Sequence, residues 1–431
     1  MPLALIVLCN RYADSVDGIH FLGPDQIMPL PLLESSFSAP RARARAAPRA
    51  PRVCFSLPYA GQLLDGGRGY FGGAEVRGTT FLRGLASRNL FDVRAVVIGG
   101  TRAPVTSADG FTVHFRPDVP WHVGQQDDVA RSVWADVDAD VYVAFGANEA
   151  TAELARFCMA RGRALVLSIA SDAAFDPFVY EGSTERDPYG IPGHFIWYAI
   201  HHADEVVVQT ERQQSLFQAR EGRAATLIRN PAPSVARSDA RVAPAYGGRM
   251  LWIGRIDPNK RHAEALALAA ALPHRTMIMV CNDIHSLGQR SIDELEVALP
   301  NLMLADQVAL PDIDGLFRFS DVLVNTSVVE GFPNTFLQAG MHGIPIASMS
   351  FDPDGMLSSH GCGRVANGTR ADLARVVESL LTNTIDYARA ASANARWLRE
   401  RHDPDGRVTE LASVVERAFA HHTRQPGAVT R

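Results

Sequence analysis

Residues 321–346 admit few folds. Asp321-Val-Leu-Val-Asn325 carries three consecutive apolar side chains, Val322 to Val324, the mark of a strand buried on both faces of a parallel sheet. A polar turn follows, and then Glu330-Gly331-Phe332-Pro333-Asn334. Gly331 and Pro333 open a helix, because proline near the first helical position lacks only an N–H that would be unpaired there anyway. Gly343 ends that helix, and Ile344-Pro345-Ile346-Ala347 begins another strand. Strand, loop, helix, strand is the repeating unit of an open α/β sheet. Its ligand end is the loop at the strand's carboxyl edge. The amides after Glu330 leave a helix N-terminus, which suits an anion such as a phosphate.

A second unit of this kind opens at Met250-Leu-Trp-Ile-Gly254-Arg255, runs through a turn to Lys260-Arg261, and continues as an amphipathic helix over 262–272. A third lies near the start. Arg52-Val-Cys-Phe-Ser-Leu57 reads as a strand, and a glycine-rich loop (Gly61, Gly66, Gly67, Gly69, Gly72, Gly73) opens a helix at about Ala74. Val93–Ile98 reads as the next strand. Further buried strands are expected at Val141–Phe145, Ala164–Ile169, Glu205–Gln209, Thr276–Val280 and Asn301–Leu304. Ala225 to Pro233 ends the first half in a proline-rich hinge.

At 431 residues the chain suits two α/β domains of about 180 residues each. With 47% hydrophobic and 21% charged residues, both can bury a full core. A net charge of −5 argues against general nucleic-acid affinity. Five scattered cysteines without a CxxC indicate neither a disulfide framework nor a zinc site, and a cytoplasmic setting fits. Residues 1–51 differ from the rest. Pro and Ala cluster, and Arg41, Arg43, Arg45, Arg49 and Arg52 meet no acid between them. A disordered basic leader is the expectation, with an arm touching an anionic membrane surface as the alternative.

The stretch 330–338 resembles the signature of retaining GT-B glycosyltransferases, in the large family called family 4. That signature sets two glutamates around a Gly-Phe-Pro-Asn-x-Phe core; here Glu330 is the first acid, the core is intact, and Gln338 stands at the second position. Gly254-Arg255 with Lys260 resembles the family's Gly-Arg and following lysine. Gly72-Gly73-Ala74-Glu75 resembles its Gly-Gly-x-Glu. The histidines that many relatives carry after two strands of the first domain are replaced by Phe145-Gly146 and Ser171-Asp172.

The resemblance covers about residues 52–420. It implies a GT-B fold, α/β, with two Rossmann-like domains facing across a cleft. The implied division is 52–232 for the acceptor, 233–400 for the donor, and 401–431 as a helix and tail returning to the first domain. The implied reaction is a metal-independent, retaining transfer of a hexose from a nucleotide-diphosphate sugar to a glycan, lipid-linked or small-molecule acceptor. The sugar nucleotide is a co-substrate, and no cofactor or metal is implied.

Arg255 and Lys260 would hold the diphosphate, whose charge grows as the glycosidic bond breaks. Glu330 would hold sugar hydroxyls, the amides of Gly331 and Phe332 sugar and phosphate, and Gln338 the ribose. Gly72, Gly73, Gly254 and Asn334 complete the donor set. Asn148, Ser171, Asp172 and Tyr189 are expected on the acceptor side, although residues of these types also serve as caps and turns. The helix bearing Arg77, Arg83 and Arg88 is expected to present a solvated face, with peripheral contact to anionic lipid as the alternative. Two other functional classes fit the same residues: a non-catalytic sugar-nucleotide-binding protein, and another GT-B enzyme such as an epimerase.

Overall fold

The computed structural model describes residues 49–65, 71–118, 133–233, 240–282, 284–306 and 308–424. The expected leader, all but its last few residues, and Gly66, Gly67 and Gly69 lie outside them. Ala50–Arg431 is one compact unit.

The first half is built on strands β1 (Arg52–Ser56), β2 (Asp92–Ile98), β3 (Val105–Thr106), β4 (Thr112–Arg116), β5 (Val141–Phe145), β6 (Ala164–Ser168), β7 (Glu205–Val208) and β8 (Thr226–Leu227). They form one sheet in the order β3-β4-β2-β1-β5-β6-β7-β8. Every pairing is parallel except β3 with β4. β5 and β6 are buried at every position, as their unbroken apolar runs require. The second half holds β9 (Met250–Arg255), β10 (Met277–Asn282), β11 (Leu302–Ala305), β12 (Val322–Asn325), β13 (Ile346–Ser348) and β14 (Gly363–Val365), all parallel in the order β11-β10-β9-β12-β13-β14. The fold is therefore mixed α/β with two parallel-sheet, Rossmann-like bodies, as expected.

Helices cover both faces of each sheet. Those that position the site are α1 (Gly73–Ala86), α2 (Glu149–Arg161), α3 (Glu211–Glu221), α4 (His262–Ala271), α5 (Asn334–Met341), α6 (Thr384–Arg401) and α7 (Pro404–Arg424). α1 buries Phe81, Leu82 and Leu85 with Phe55, Val97 and Val143 of the first sheet. α7 lies on that same face, contributing Val408, Leu411 and Val415. A glycine makes this approach possible, since a Cβ at Gly84 would sit 2.5 Å from a Val408 methyl. α6 stays with the second half, where Trp397 and Leu398 join Phe336 and Leu337 of α5.

The chain thus crosses between the halves twice, and the two crossings are bonded to each other. His402 Nδ1 donates to Asn230 O at 2.7 Å, and Ala232 N donates to His402 O at 2.9 Å. The proline-rich stretch read as a hinge lies at this clasp.

Of the three arginines expected on a solvated face, Arg83 and Arg88 are at the surface and Arg77 is not. Arg77 is buried, bonding Ser168 Oγ and, at 3.0 Å, Ile228 O. Arg83 pairs with Asp109 at 2.9 Å, and Arg88 donates to Thr409 Oγ1 at 2.8 Å and Asp405 O at 2.6 Å. Spacing on one helix marks which residues share a face, but not what the rest of the chain lays over it. Among the described residues no helix is long and apolar enough to cross a membrane.

Candidate active site

Two adjoining strand ends of the second sheet carry the candidate charges. β9 ends in Gly254-Arg255 and β12 leads to Glu330. Gly254 sits on the Trp252 indole, where a Cβ would lie 2.7 Å from the ring. The indole N–H donates to Thr326 Oγ1 at 2.8 Å, and that hydroxyl donates to Lys260 O at 2.6 Å. The turn between β9 and α4 is thereby fixed from below. Asp257 holds it from within, accepting from Lys260 N at 2.7 Å and pairing with Arg255 Nε at 3.2 Å. Lys260 Nζ donates to Glu330 Oε1. Neither the Lys260 nor the Glu330 side chain is fully buried, so both are open to a ligand.

The segment 330–334 faces the first half. Asp172 N donates to Glu330 O at 3.0 Å. A Cβ at Gly331 would lie 2.4 Å from Ala170 O and 2.7 Å from Gln209 Nε2, so only glycine allows the halves to meet here. Phe332 N, expected to face sugar and phosphate, instead donates to Gln209 Oε1 at 3.2 Å, while Gln209 Nε2 donates to Ile169 O at 2.6 Å. Phe332 O accepts from Asn230 Nδ2 at 3.1 Å. The Phe332 backbone is therefore occupied by the other half of the protein. Gln209 and Asn230 are residues that sequence reading missed, because nothing in their local pattern records contacts made more than a hundred positions away.

Asn334 opens α5 and reaches the glycine pair. Its Nδ2 donates to Gly73 O at 2.9 Å, and its Oδ1 accepts from Asn230 Nδ2 at 3.0 Å. Gly72 N donates to the Glu75 carboxylate at 2.9 Å, closing the first turn of α1. Gly72, Gly73 and Asn334 are thus brought together across the cleft. Gln338 lies one turn along α5, half-buried, and among the described residues nothing bonds its side-chain amide.

The expected acceptor-side residues divide. Asn148 caps α2, accepting from Thr151 N at 2.9 Å. Ser171 caps the short turn of Asp172–Phe175, accepting from Ala173 N at 3.2 Å. Both therefore serve the local backbone. Asp172 accepts from Arg212 Nε at 3.1 Å and Gln213 Nε2 at 3.0 Å, and burial raises its carboxyl above the usual range. It borders a cavity of about 440 Å³ between the halves, with Arg212, Val329, Gly331, Phe351 and Asp352. Tyr189 goes elsewhere. Its ring centroid is 5.4 Å from the Arg255 guanidinium, and its hydroxyl accepts from Asn259 Nδ2 at 3.0 Å. Burial pushes its phenol up.

Residues 247–383 match the family model described as Glycosyl transferases group 1. No curated protein sequence matches the chain significantly. In three dimensions it is similar to Anabaena HepE in complex with UDP and glucose, at 17% identity and a TM-score of 0.65 over 85% of this chain and 100% of that one. It is similar to sucrose-phosphate synthase from Thermosynechococcus elongatus, at 12% identity and a TM-score of 0.67 over 86% and 100%. It is also similar to the pneumococcal O-GlcNAc transferase GtfA in complex with UDP and GlcNAc, at 11% identity and a TM-score of 0.60 over 86% and 100%. At such identities the likeness speaks for the fold. The fold of this chain is GT-B, and its second half carries the match to the glycosyl transferases group 1 model.

Proposed function

We propose that the chain is a retaining, metal-independent family 4 glycosyltransferase. It moves a hexose from a nucleotide-diphosphate sugar to a hydroxyl of a glycan, lipid-linked or small-molecule acceptor. The observation that carries this reading is the convergence of Arg255, Lys260 and Glu330 at the adjoining ends of β9 and β12. Opposite them, Gly73 is bonded to Asn334 at 2.9 Å. The family match over 247–383 supports it, as do the UDP complexes of HepE and GtfA.

In this reading the bond between the anomeric carbon and the diphosphate oxygen breaks, and the acceptor oxygen bonds to the same face of the sugar. The acceptor proton passes to the departing phosphate oxygen. Arg255 and Lys260 stabilise the charge that gathers there, and do so most in the transition state. Lys260 exchanges Glu330 for phosphate, which frees the carboxylate for the sugar hydroxyls. The Gly331 amide serves the sugar and phosphate, and Gln338 the ribose. The acceptor enters beside Asp172, on the first-half side (52–232), while 233–400 holds the donor. A cytoplasmic enzyme, working on soluble acceptors or at a membrane face, fits this chemistry.

Nucleotide release from UDP-glucose, UDP-N-acetylglucosamine, GDP-mannose and ADP-glucose tests the proposal. The wild type should turn over one of them, unaffected by EDTA, and Lys260→Ala or Arg255→Ala should lose at least about a hundredfold. Tight binding of a nucleoside diphosphate without turnover of any donor would make the chain a binding protein. An absolute Mn²⁺ requirement would contradict the metal-independent mechanism.

A further inference from the structure

β9 and β12 part early. Their pairing ends at Leu251 and Leu323, yet the pair that matters, Lys260 with Glu330, lies several residues beyond. Two buried side chains bring the loops back together: Thr326, which bonds the Trp252 indole and Lys260 O, and Asn259, which sits immediately before Lys260. Asn259 is 3% exposed. Its Nδ2 donates to Val329 O at 2.8 Å, and its Oδ1 accepts from Val329 N at 2.9 Å. Its own carbonyl accepts from Val328 N at 3.0 Å. A primary amide offers a donor and an acceptor in one plane, as a peptide unit does, so this contact is a sheet rung made by a side chain. The Val329 amide can only donate, which fixes which way the Asn259 group points. The residues that follow on each loop are Lys260 and Glu330.

The second Nδ2 proton goes to the other half of the protein, to Tyr189 Oη at 3.0 Å. Tyr189 is held in turn by Asp187, whose Oδ1 accepts from Tyr189 N and Ile191 N, both at 2.8 Å. We propose that Asn259 is a positioning residue that aligns Lys260 and Glu330 with each other and ties that alignment to contact with the first half through Tyr189. This rests on reading Lys260 and Glu330 as the groups that meet the donor. Both polar atoms of the Asn259 amide are already taken by Val329 and Tyr189, so its part is to orient rather than to bind. A rung that orients the pair acts on the reacting geometry more than on ground-state affinity.

The test has two arms. In the first, kcat and KM are measured on whichever of UDP-glucose, UDP-N-acetylglucosamine, GDP-mannose or ADP-glucose the wild type uses. Asn259→Ala should lower kcat at least about tenfold and change donor KM less than about threefold. Tyr189→Phe, which removes only the hydroxyl, should lower kcat about threefold, and the double variant should be no worse than Asn259→Ala. An unchanged kcat in Asn259→Ala, or losses that multiply in the double variant, would overturn the proposal. The second arm needs no substrate. Hydrogen exchange of the segment 326–332 should speed at least about tenfold in Asn259→Ala, with β9 and β10 unaffected. Unchanged exchange would overturn the positioning role even if no donor is turned over, and faster exchange with no turnover would leave it standing while the glycosyltransferase reading failed. Should Asn259→Ala not fold, Asn259→Asp, which keeps the bond from Val329 N and loses that to Val329 O, is read the same way.

Discussion

The Lys260 ammonium and the Glu330 carboxylate, from two different loops, form an ion pair at the mouth of the second sheet. Each is the other's partner until a ligand with both a phosphate and a polyol offers something better to both. On the proposed reading the pair would span the sugar and the adjacent diphosphate of the donor, and removing either member should damage turnover out of proportion to stability. Glu330→Gln keeps the shape and loses the charge. Its nucleotide release should fall about a hundredfold, with a melting temperature near that of the wild type.

At Gly331 the two halves come into close contact. A methyl group there would meet Ala170 O at 2.4 Å, a backbone atom that cannot swing away. Gly331→Ala should therefore cost about 1–3 kcal/mol, read as a lower denaturant midpoint. It should also reduce turnover, because the same methyl would hold Glu330 away from the cleft. Full activity at wild-type stability would show that the halves do not need this contact.

Arg229 and Asp354 bridge the halves beside the hinge at 2.6 Å, with side chains 5% and 3% exposed. Asp354 also accepts the first two amides of α3, Glu211 N at 3.0 Å and Arg212 N at 3.2 Å. Arg229→Met leaves that carboxylate buried without its cation and should cost about 3–5 kcal/mol. Arg229→Met with Asp354→Asn removes the stranded charge and should recover part of the loss, measured by urea unfolding.

His402 makes the hinge sensitive to acid. Its Nδ1 donates to Asn230 O, its Nε2 is buried without a partner among the described residues, and burial lowers its pKa from 6.5 to about 3. A depressed folded pKa means that the unfolded chain binds the proton first. The contribution to stability is whole above pH 6.5 and is lost as pH falls from 6.5 toward 3. The expected slope from this one group approaches about 1.4 kcal/mol per pH unit. His402→Gln should flatten the curve of unfolding free energy against pH in that window. An unaltered slope would mean that other groups govern it.

The two strand–loop–helix units of the second half were legible because their evidence is local. Val322–Val324 runs apolar, Gly331 and Pro333 punctuate, and Arg255 and Lys260 lie within one turn of each other. The parallel sheets followed from the same runs. What lay out of reach was every bond between the halves. Gln209 gives no sign in its own neighbourhood that it will hold Phe332, nor does Asn259 that it will rebuild a rung to Val329. Polar residues at strand ends read as ligand contacts and caps alike, and Asn148 and Ser171 proved to be caps. Arg77 reads as a surface charge on a helix, and only the packing of α1 against the first sheet shows it buried.

The central claim is that Arg255, Lys260 and the amides beside them cradle a pyrophosphate between the two halves. Crystals grown with a saturating nucleotide sugar test it most directly. The account predicts diphosphate oxygens within about 3.2 Å of the Arg255 guanidinium and of Lys260 Nζ, with Lys260 withdrawn from Glu330 and the sugar hydroxyls against that carboxylate. A nucleotide bound away from Arg255 and Lys260, or a cleft holding none at saturation, would contradict it.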